Sequence, residues 1–325
     1  MSSRSTQNTA FKSLLDAVKY CDKFPYTIDP TSNNELHHAV PFILGSYTIG
    51  HILPHVLPAL NEYNDKQSRK PFDIRPNVIQ FSQWVNTSEL RTMVVKELMD
   101  SWRAQKTFDI LTGWRNELYP VYGDESQPDN IAFVMERAAS PLFGILTFGV
   151  HLNAYTKTEE GQILMWVAKR SKTKQTWPNL LDNCVAGGIS YNYSVKDTII
   201  KECDEEASIP IEIASKARSV NTITYYTYTS GGLQPETQYI FDLEMPKDFT
   251  PTPRDGEAEC FYLWPLEKVK ETILNNEWKP NCALVAIDFM MRHSFITPDD
   301  EPDYIDITYG LHRRLEFPTP HNKKS

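Results

Sequence analysis

Three glutamates, Glu202, Glu205 and Glu206, lie at positions i, i+3 and i+4 within the segment from Gly187 to Ile209. On a helix this spacing puts all three carboxylates within an arc of about 100°. Carboxylates crowded in this way repel one another, and a hard divalent cation, which takes several oxygen ligands, gives a reason for the crowding. The cluster therefore predicts a metal site, although solvated helix faces also carry acidic residues.

The elements around the glutamates favour a site over a solvated face. Apolar residues recur every four positions, which predicts a helix docked on a core, at Val195, Ile199, Cys203 and Ala207. Ahead of this helix, residues 185–188 predict an apolar strand end closed by Gly187 and Gly188. Two glycines allow a ligand to approach the main chain closely. We therefore expect a strand, a glycine loop and a helix with one acidic face.

The segment 187–209 resembles the Nudix box, G-x5-E-x7-R-E-U-x-E-E-x-G-U, in which U is apolar. Gly187 and the three glutamates match the box at the right spacing, but Tyr193, Lys201 and Ser208 replace its Glu, Arg and Gly. Lysine keeps the charge of arginine without its two-pronged geometry. We expect Asp197, four residues before Lys201, to supply an acidic partner.

Composition and charge narrow the function classes. The 325 residues are 41% hydrophobic and carry a formal net charge of −9, which argues against a broad nucleic-acid surface and leaves a small molecule as the expected partner. The five cysteines show no C-x-x-C spacing, so we expect reduced thiols in the cytoplasm and neither disulfides nor a zinc site. The first residues lack an apolar signal region, and no stretch approaches ~20 apolar residues, so secretion and membrane spanning are not expected.

The composition of the chain indicates a domain boundary near the polar stretch 123–129. We predict a smaller α+β N-terminal domain of unknown role over residues 1–125 and a second domain over 126–325. Within the first, Thr87 offers a cap for a helix whose apolar face comprises Leu90, Val94, Leu98 and Trp102.

The second part is rich in strands. Period-2 and β-branched patterns predict strands over 142–154, 163–168, 222–228, 238–243 and 260–264. Two helices are predicted after them, over 266–275 and 281–293. Strands packed with a few helices indicate an α/β layered domain, and the resemblance implies the α/β/α sandwich with a mixed sheet of the Nudix fold.

The resemblance extends to the Nudix branch related to thiamine pyrophosphokinases that acts on thiamine diphosphates. Segments that carry it lie both before and after the box, at 113–117, 136–144, 149–153, 168–171, 177–183, 255–257, 279–282, 288–293 and 311–313. It implies a hydrolase that converts thiamine diphosphate, or oxidised and antimetabolite forms such as oxothiamine and oxythiamine diphosphate, to the monophosphate and inorganic phosphate. Which analogue is preferred stays open.

Diphosphate hydrolysis assigns roles to the acidic residues, because charge must be neutralised on two phosphoryl groups while a water is aimed at one phosphorus. We expect Glu202 and Glu206 to bind Mg²⁺, for which Mn²⁺ is an alternative. Glu205 is then a further ligand or the base that orients the water. The Gly187 carbonyl is a candidate to complete the coordination. In the loop 255–259, Glu257 is the first choice for an added ligand or base, ahead of Glu259.

Substrate contacts are expected from residues that flank the box. Lys169 and Arg170 are candidates for binding phosphate, and Gly187 with Gly188 for contact through the main chain. Trp177 is a candidate to stack on a flat cationic ring, as are Tyr225 and Tyr226.

Two other functions remain possible from the sequence. Isopentenyl-diphosphate isomerase shares the Nudix fold and needs a catalytic cysteine, and Cys184 lies just before the box. The substitutions at Tyr193, Lys201 and Ser208 are compatible with a binding module that has lost catalysis.

Overall fold

The structure, a computed structural model, describes residues 9–320. Short 3₁₀ turns connect several of its elements. In chain order the helices and strands are α1 (Leu14–Cys21), β1 (Val40–Leu44), β2 (Tyr47–Ile52), α2 (Leu57–Lys66), β3 (Phe72–Arg75), β4 (Val78–Phe81), α3 (Ser88–Gln105), β5 (Leu118–Tyr122), β6 (Ile131–Glu136), α4 (Ser140–Phe143), β7 (Thr147–Lys157), β8 (Ile163–Arg170), β9 (Leu181–Asn183), β10 (Val185–Gly188), α5 (Val195–Ala207), α6 (Ile211–Ala214), β11 (Arg218–Thr229), β12 (Gly232–Glu244), β13 (Ala258–Pro265), α7 (Leu266–Leu274), α8 (Pro280–Arg292) and α9 (Tyr304–Leu311).

A mixed sheet organises the second half of the chain. Its strands run in the order β11-β12-β7-β8-β13, with β10 added to β7 and β9 added to β8. Only the β12–β7 pair among these is parallel. Met165 and Val167 face one apolar core and Trp166 between them faces the other, as the period of two in a strand requires. Helix α5 covers one face, and α1, α7, α8 and α9 cover the other. The predicted α/β sandwich with a mixed sheet is confirmed.

A four-stranded sheet, β2-β1-β4-β3, lies in the first half of the chain with α2 and α3. Its apolar core continues into later residues such as Phe133 and Phe143. Helix α1, by contrast, packs on α8 and α9. The two halves therefore share contacts from both ends of the chain, and the boundary near residue 125 stays a prediction.

Most predicted elements are present. The helix expected after Thr87 is α3, and the Thr87 hydroxyl accepts from the Leu90 amide at 3.2 Å. The strand expected over 142–154 begins only at Thr147. Its first residues are helical because Pro141 occupies the first turn of α4 and Gly144 ends that helix at φ +56°. Among the described residues, no helix is long and apolar enough to cross a membrane.

Candidate active site

Helix α5 carries the three glutamates that the sequence singles out. Ser194 caps its N-terminus, and its hydroxyl accepts from the Asp197 amide at 3.0 Å. Ile199, Cys203 and Ala207 are buried against the sheet, so the acidic face points away from the core. The helix expected from the sequence is confirmed.

Gly187 leaves the space that Glu202 occupies. It lies at the end of β10, opposite Val150 of β7. A Cβ atom at residue 187 would lie 2.4 Å from Cδ of Glu202, which is far inside van der Waals contact. Any side chain at this position would therefore displace the Glu202 carboxylate, so the first glycine and the first glutamate of the cluster form one unit.

A glycine is also required at position 188, because the side chain of Tyr119 occupies the adjacent space. A Cβ at residue 188 would lie 1.7 Å from the hydroxyl of Tyr119. Tyr119 is buried and its ring lies under the guanidinium of Arg137, 5.3 Å from the ring centroid. Arg137 in turn binds Glu117 at 2.9 Å. The glycine loop thus packs directly against residues from β5 and the segment after β6.

Glu206 meets two acidic residues from the loop between β12 and β13. Carboxylate oxygens of Glu206, Asp255 and Glu257 lie within 4.8 Å of one another. The Glu206 carboxylate accepts from the Ala186 amide at 2.8 Å, and Glu257 forms an ion pair with Lys174. The chain therefore brings the box and the predicted later acid together, and it adds Asp255.

The acids of this cluster titrate unequally. Burial raises the pKa of Glu206 well above its usual value, and the charges of Glu202 and Glu257 raise it further. Burial likewise raises the pKa of Glu202. Burial would also raise the pKa of Glu257, but its contacts with Lys174 outweigh that effect and the pKa is lowered. Glu206 thus releases its proton at a higher pH than Glu257.

The donor set fits a hard divalent cation. Oxygens of three carboxylates lie within 4.8 Å of one another, and a fourth carboxylate, that of Glu202, lies close enough to Glu206 to raise its pKa. The oxygen ligands are those that Mg²⁺ and Mn²⁺ prefer. Bringing several carboxylates together without a counter-charge is costly, and the raised pKa values of Glu202 and Glu206 reflect that cost. A metal ion bound there would supply the counter-charge.

Lys201 does not pair with Asp197 as expected. Its ammonium binds Glu205 at 2.5 Å and Glu202 at 3.2 Å. The Asp197 carboxylate instead accepts from the Ser194 hydroxyl at 2.6 Å, because the helix cap is nearer. Glu205 is exposed and lies outside the cluster of Glu206, Asp255 and Glu257. Its role as water-orienting base stays a prediction.

A cavity of about 1050 Å³ opens beside the glycine loop. Its walls combine the main sheet with residues from the first half of the chain, including Gly113, Tyr119 and Ser140. Among residues 9–320, four basic and two acidic side chains line it, namely Lys23, Arg115, Arg137, Lys279, Asp109 and Glu236. The cavity is thus net positive within a chain of net charge −9, which suits an anionic ligand.

Some of the predicted substrate-binding residues line the cavity and others do not. Gly187, Gly188 and Trp177 line the cavity. Lys169 lies outside its lining, and its ammonium donates to the Asn179 carbonyl at 2.5 Å.

The guanidinium of Arg170 is committed to protein atoms. It binds Asp182 at 2.6 Å and donates to the carbonyls of Thr176 and Trp177, both at 2.8 Å. Arg170 thereby holds the loop that carries Trp177. Phosphate binding by Lys169 and Arg170 stays a prediction, and one that this arrangement does not favour.

The two candidate tyrosines have different surroundings. Tyr225 reaches the cavity and its hydroxyl donates to Glu236. Tyr226 is stacked on Phe24, with ring centroids 4.1 Å apart, and its hydroxyl lies 3.1 Å from Nδ1 of His51. Tyr226 therefore belongs to a core and is not part of the cavity wall.

The structure also places Cys184 and Tyr193, the residues on which the two alternative functions depend. Cys184 is buried among apolar side chains, and burial raises the pKa of its thiol well above the usual value. A catalytic cysteine needs a lowered pKa, so this environment does not favour the isomerase. Tyr193, in the place of the first Glu of the box, is exposed in the loop before α5.

Similarities to known proteins fit this geometry. Residues 13–147 match the family model "Domain of unknown function (DUF4743)". The chloroplastic Nudix hydrolase 20 of Arabidopsis thaliana is 35% identical over 287 residues, 87% of this chain and 75% of its own length. Nudix hydrolase 24 of the same plant is 34% identical over 282 residues, 86% of this chain and 73% of its own length. The uncharacterized protein YJR142W of Saccharomyces cerevisiae is 36% identical over 242 residues, 70% of each chain.

The chain belongs to the Nudix hydrolase family. The expectation of an enzyme of this family is confirmed. Among solved structures, DR0079 from Deinococcus radiodurans aligns with a TM-score of 0.39 at 18% identity, covering 53% of this chain and 98% of that one.

Sequence reasoning did not identify the basic residues that line this cavity. Arg115, Arg137 and Lys279 line the cavity, whereas the basic pair at 169–170 does not supply it. Each of the three lies in a segment that carries the resemblance, 113–117, 136–144 or 279–282. The presence of a basic residue in each of these segments could have identified the three as candidates for binding an anionic ligand.

Proposed function

We propose that this protein is a Mg²⁺-dependent pyrophosphatase that hydrolyses thiamine diphosphate and its oxidised or damaged analogues to the monophosphate and inorganic phosphate. The observation that carries the hydrolytic part is the convergence of Glu206, Asp255 and Glu257 beside a net-positive cavity. The thiamine part rests on the resemblance described for the flanking segments.

In the proposed site, Glu202 and Glu206 would hold the metal with Asp255, and Glu257 would be a further ligand or the base. The metal supplies neutralisation of charge on the two phosphoryl groups. Water attacks the terminal phosphorus, the bond from that phosphorus to the bridging oxygen breaks, and the monophosphate leaves with that oxygen. The proton of the attacking water passes to a carboxylate, for which Glu205 and Glu257 are the candidates.

Arg115 is the best-placed residue to bind the diphosphate. Its guanidinium has no hydrogen-bond acceptor among residues 9–320, and it lies close enough to Glu257 to lower the pKa of that acid. An arginine matches phosphate oxygens with two parallel donors. We expect R115Q to raise KM for the diphosphate by about tenfold, the effect of one charged hydrogen bond. R103Q, whose parent arginine lies over Trp114 at 4.5 Å and outside the cavity lining, is the matched control.

The organic half of the substrate has aromatic surfaces available in the cavity. Trp177, Tyr119 and Phe148 line its wall, and faces of this kind stack on flat rings and attract cationic ones. The region before residue 125 supplies part of that wall, which supports a role for it in enclosing the substrate. The five free cysteines support the proposed cytoplasmic location.

The test is phosphate release with Mg²⁺ from thiamine diphosphate, oxothiamine diphosphate, oxythiamine diphosphate, ADP-ribose and isopentenyl diphosphate. We expect release from the thiamine compounds only, and none with EDTA. Release from ADP-ribose alone would keep the chemistry and refute the substrate. Release from none of the compounds would refute the proposal and favour a binding module.

A further inference from the structure

Lys279 has no bonding partner although it lies in the cavity wall beside two acids. It precedes α8, and its main-chain amide donates to the Leu181 carbonyl at 2.9 Å. Within residues 9–320 its ammonium makes no hydrogen bond and no ion pair within 4.0 Å. An ammonium offers three donors, and leaving them unsatisfied in a partly buried position is costly.

The two neighbouring acids are already occupied. Asp182 accepts from Arg170 at 2.6 Å, from the Cys282 thiol at 2.7 Å and from the Asn183 amide at 2.9 Å. Glu236, which also lines the cavity, accepts from the Tyr225 hydroxyl and from the Gln238 amide group at 2.8 Å. Neither acid turns to Lys279, so its donors remain available to whatever enters the cavity.

The surroundings of Lys279 favour its charged form. Burial lowers the pKa of this ammonium, but the charges of neighbouring groups, Asp182 among them, outweigh that effect and the pKa is raised. His151 beside it is neutral, since burial lowers its pKa to about 4. Lys279 is also the N-terminal capping residue of α8, where the positive end of the helix adds to its charge and favours an anionic group nearby. The position thus places positive charge in the cavity wall.

We infer that Lys279 is a substrate-binding residue that donates to an oxygen of the ligand in the cavity. This inference rests on the proposed function for the identity of the substrate, but its test measures binding and not turnover. A phosphate oxygen and a carbonyl oxygen on the ligand's ring are the two sources of such an acceptor. Both have the same chemistry at the ammonium.

Calorimetric titration with two probes distinguishes these sources. Inorganic pyrophosphate supplies phosphate oxygens alone, and oxythiamine supplies a ring carbonyl without phosphate. We expect K279M to weaken binding of one probe at least tenfold, and K279R to recover part of the loss. K268M, which removes an exposed lysine that binds Glu271 at 2.9 Å on α7, should bind both probes like the parent protein.

Wild-type protein provides a second measurement that does not depend on how the variants fold. Reductive methylation followed by mass spectrometry gives the labelling rate of Lys279 with and without each probe. Protection of Lys279 by the probe whose binding K279M weakens would support the inference. Unchanged affinities in K279M together with an unchanged labelling rate would overturn it, whether or not the protein hydrolyses thiamine compounds.

Discussion

Replacing Glu206 with glutamine should stabilise the metal-free protein while removing its response to Mg²⁺. Glutamine keeps the oxygen that accepts from the Ala186 amide at 2.8 Å, and its amide group donates to Glu257. The change removes only the charge, and that charge is unfavourable here because of burial and of Glu202 and Glu257. E206Q therefore removes the destabilisation that the buried charge causes and, at the same time, the binding of Mg²⁺.

The sign of the pH dependence follows from the raised pKa. The folded chain holds the Glu206 proton more tightly than the unfolded chain, whose carboxyl has the ordinary value of 4.5. Stability from this group is therefore present below about pH 4.5 and is lost as the pH rises towards the folded pKa. E206Q lacks this loss. We expect it to exceed the parent by about 1 kcal/mol in the free energy of unfolding at pH 8, the low end of the desolvation penalty of a buried polar group, and by less at pH 5.

Mg²⁺ should reverse the order of the two proteins. At a concentration 100 times Kd, a ligand stabilises its protein by about 2.7 kcal/mol. At about 2–4 °C per kcal/mol this raises the Tm of the parent by about 5–10 °C, whereas E206Q gains nothing. Thermal unfolding at pH 8, with and without Mg²⁺, measures both effects, and E212Q, at an exposed glutamate of α6, serves as control. A metal-free E206Q less stable than the parent, or one with the same Mg²⁺ shift, would refute the reasoning.

Three further predictions concern the same helix and loop. Ser208 ends α5 at φ +53°. S208G should therefore raise the free energy of unfolding by about 0.5 kcal/mol in urea titrations, because glycine relieves the left-handed backbone while one hydrogen bond is lost. S215G, at φ −62°, should lower the free energy of unfolding, and equal changes in the two variants would contradict this prediction. G187A should weaken Mg²⁺ binding at least tenfold in calorimetry, because its Cβ meets Cδ of Glu202 at 2.4 Å; unchanged affinity would mean that Glu202 is not a ligand. Mg²⁺ affinity should rise with pH, by up to about tenfold per unit for each proton displaced from Glu206, and calorimetry at pH 6.5 and 8 that finds equal Kd values would contradict the raised pKa.

The sequence predicted what depends on local spacing. Helix α5 follows from an apolar stripe with a period near four, and the strands from alternation, so both are recovered. The strand predicted over 142–154 failed at its start because an apolar run does not distinguish a buried strand from a buried helical turn. There the proline at 141 and the glycine at 144 decide for the turn.

The composition of the site depends on contacts between distant segments. Glu206 and Glu257 are 51 positions apart, and the spacing within either segment does not say that they meet. Arg170 seemed available for phosphate, but Asp182 and two carbonyls take its donors. The sequence does not distinguish Lys279 from other lysines, because only the folded chain shows that its acidic neighbours bond to other donors. Which charged groups are already satisfied is a property of the folded chain alone.

Hydrolysis of thiamine diphosphate in ¹⁸O-labelled water tests the central claim most directly. With Mg²⁺, we expect the wild-type protein to release inorganic phosphate that carries the label and a monophosphate that does not, since water attacks the terminal phosphorus. E206Q should release neither product. No phosphate release from thiamine diphosphate or its oxidised analogues by a wild-type protein that binds Mg²⁺ would contradict the account.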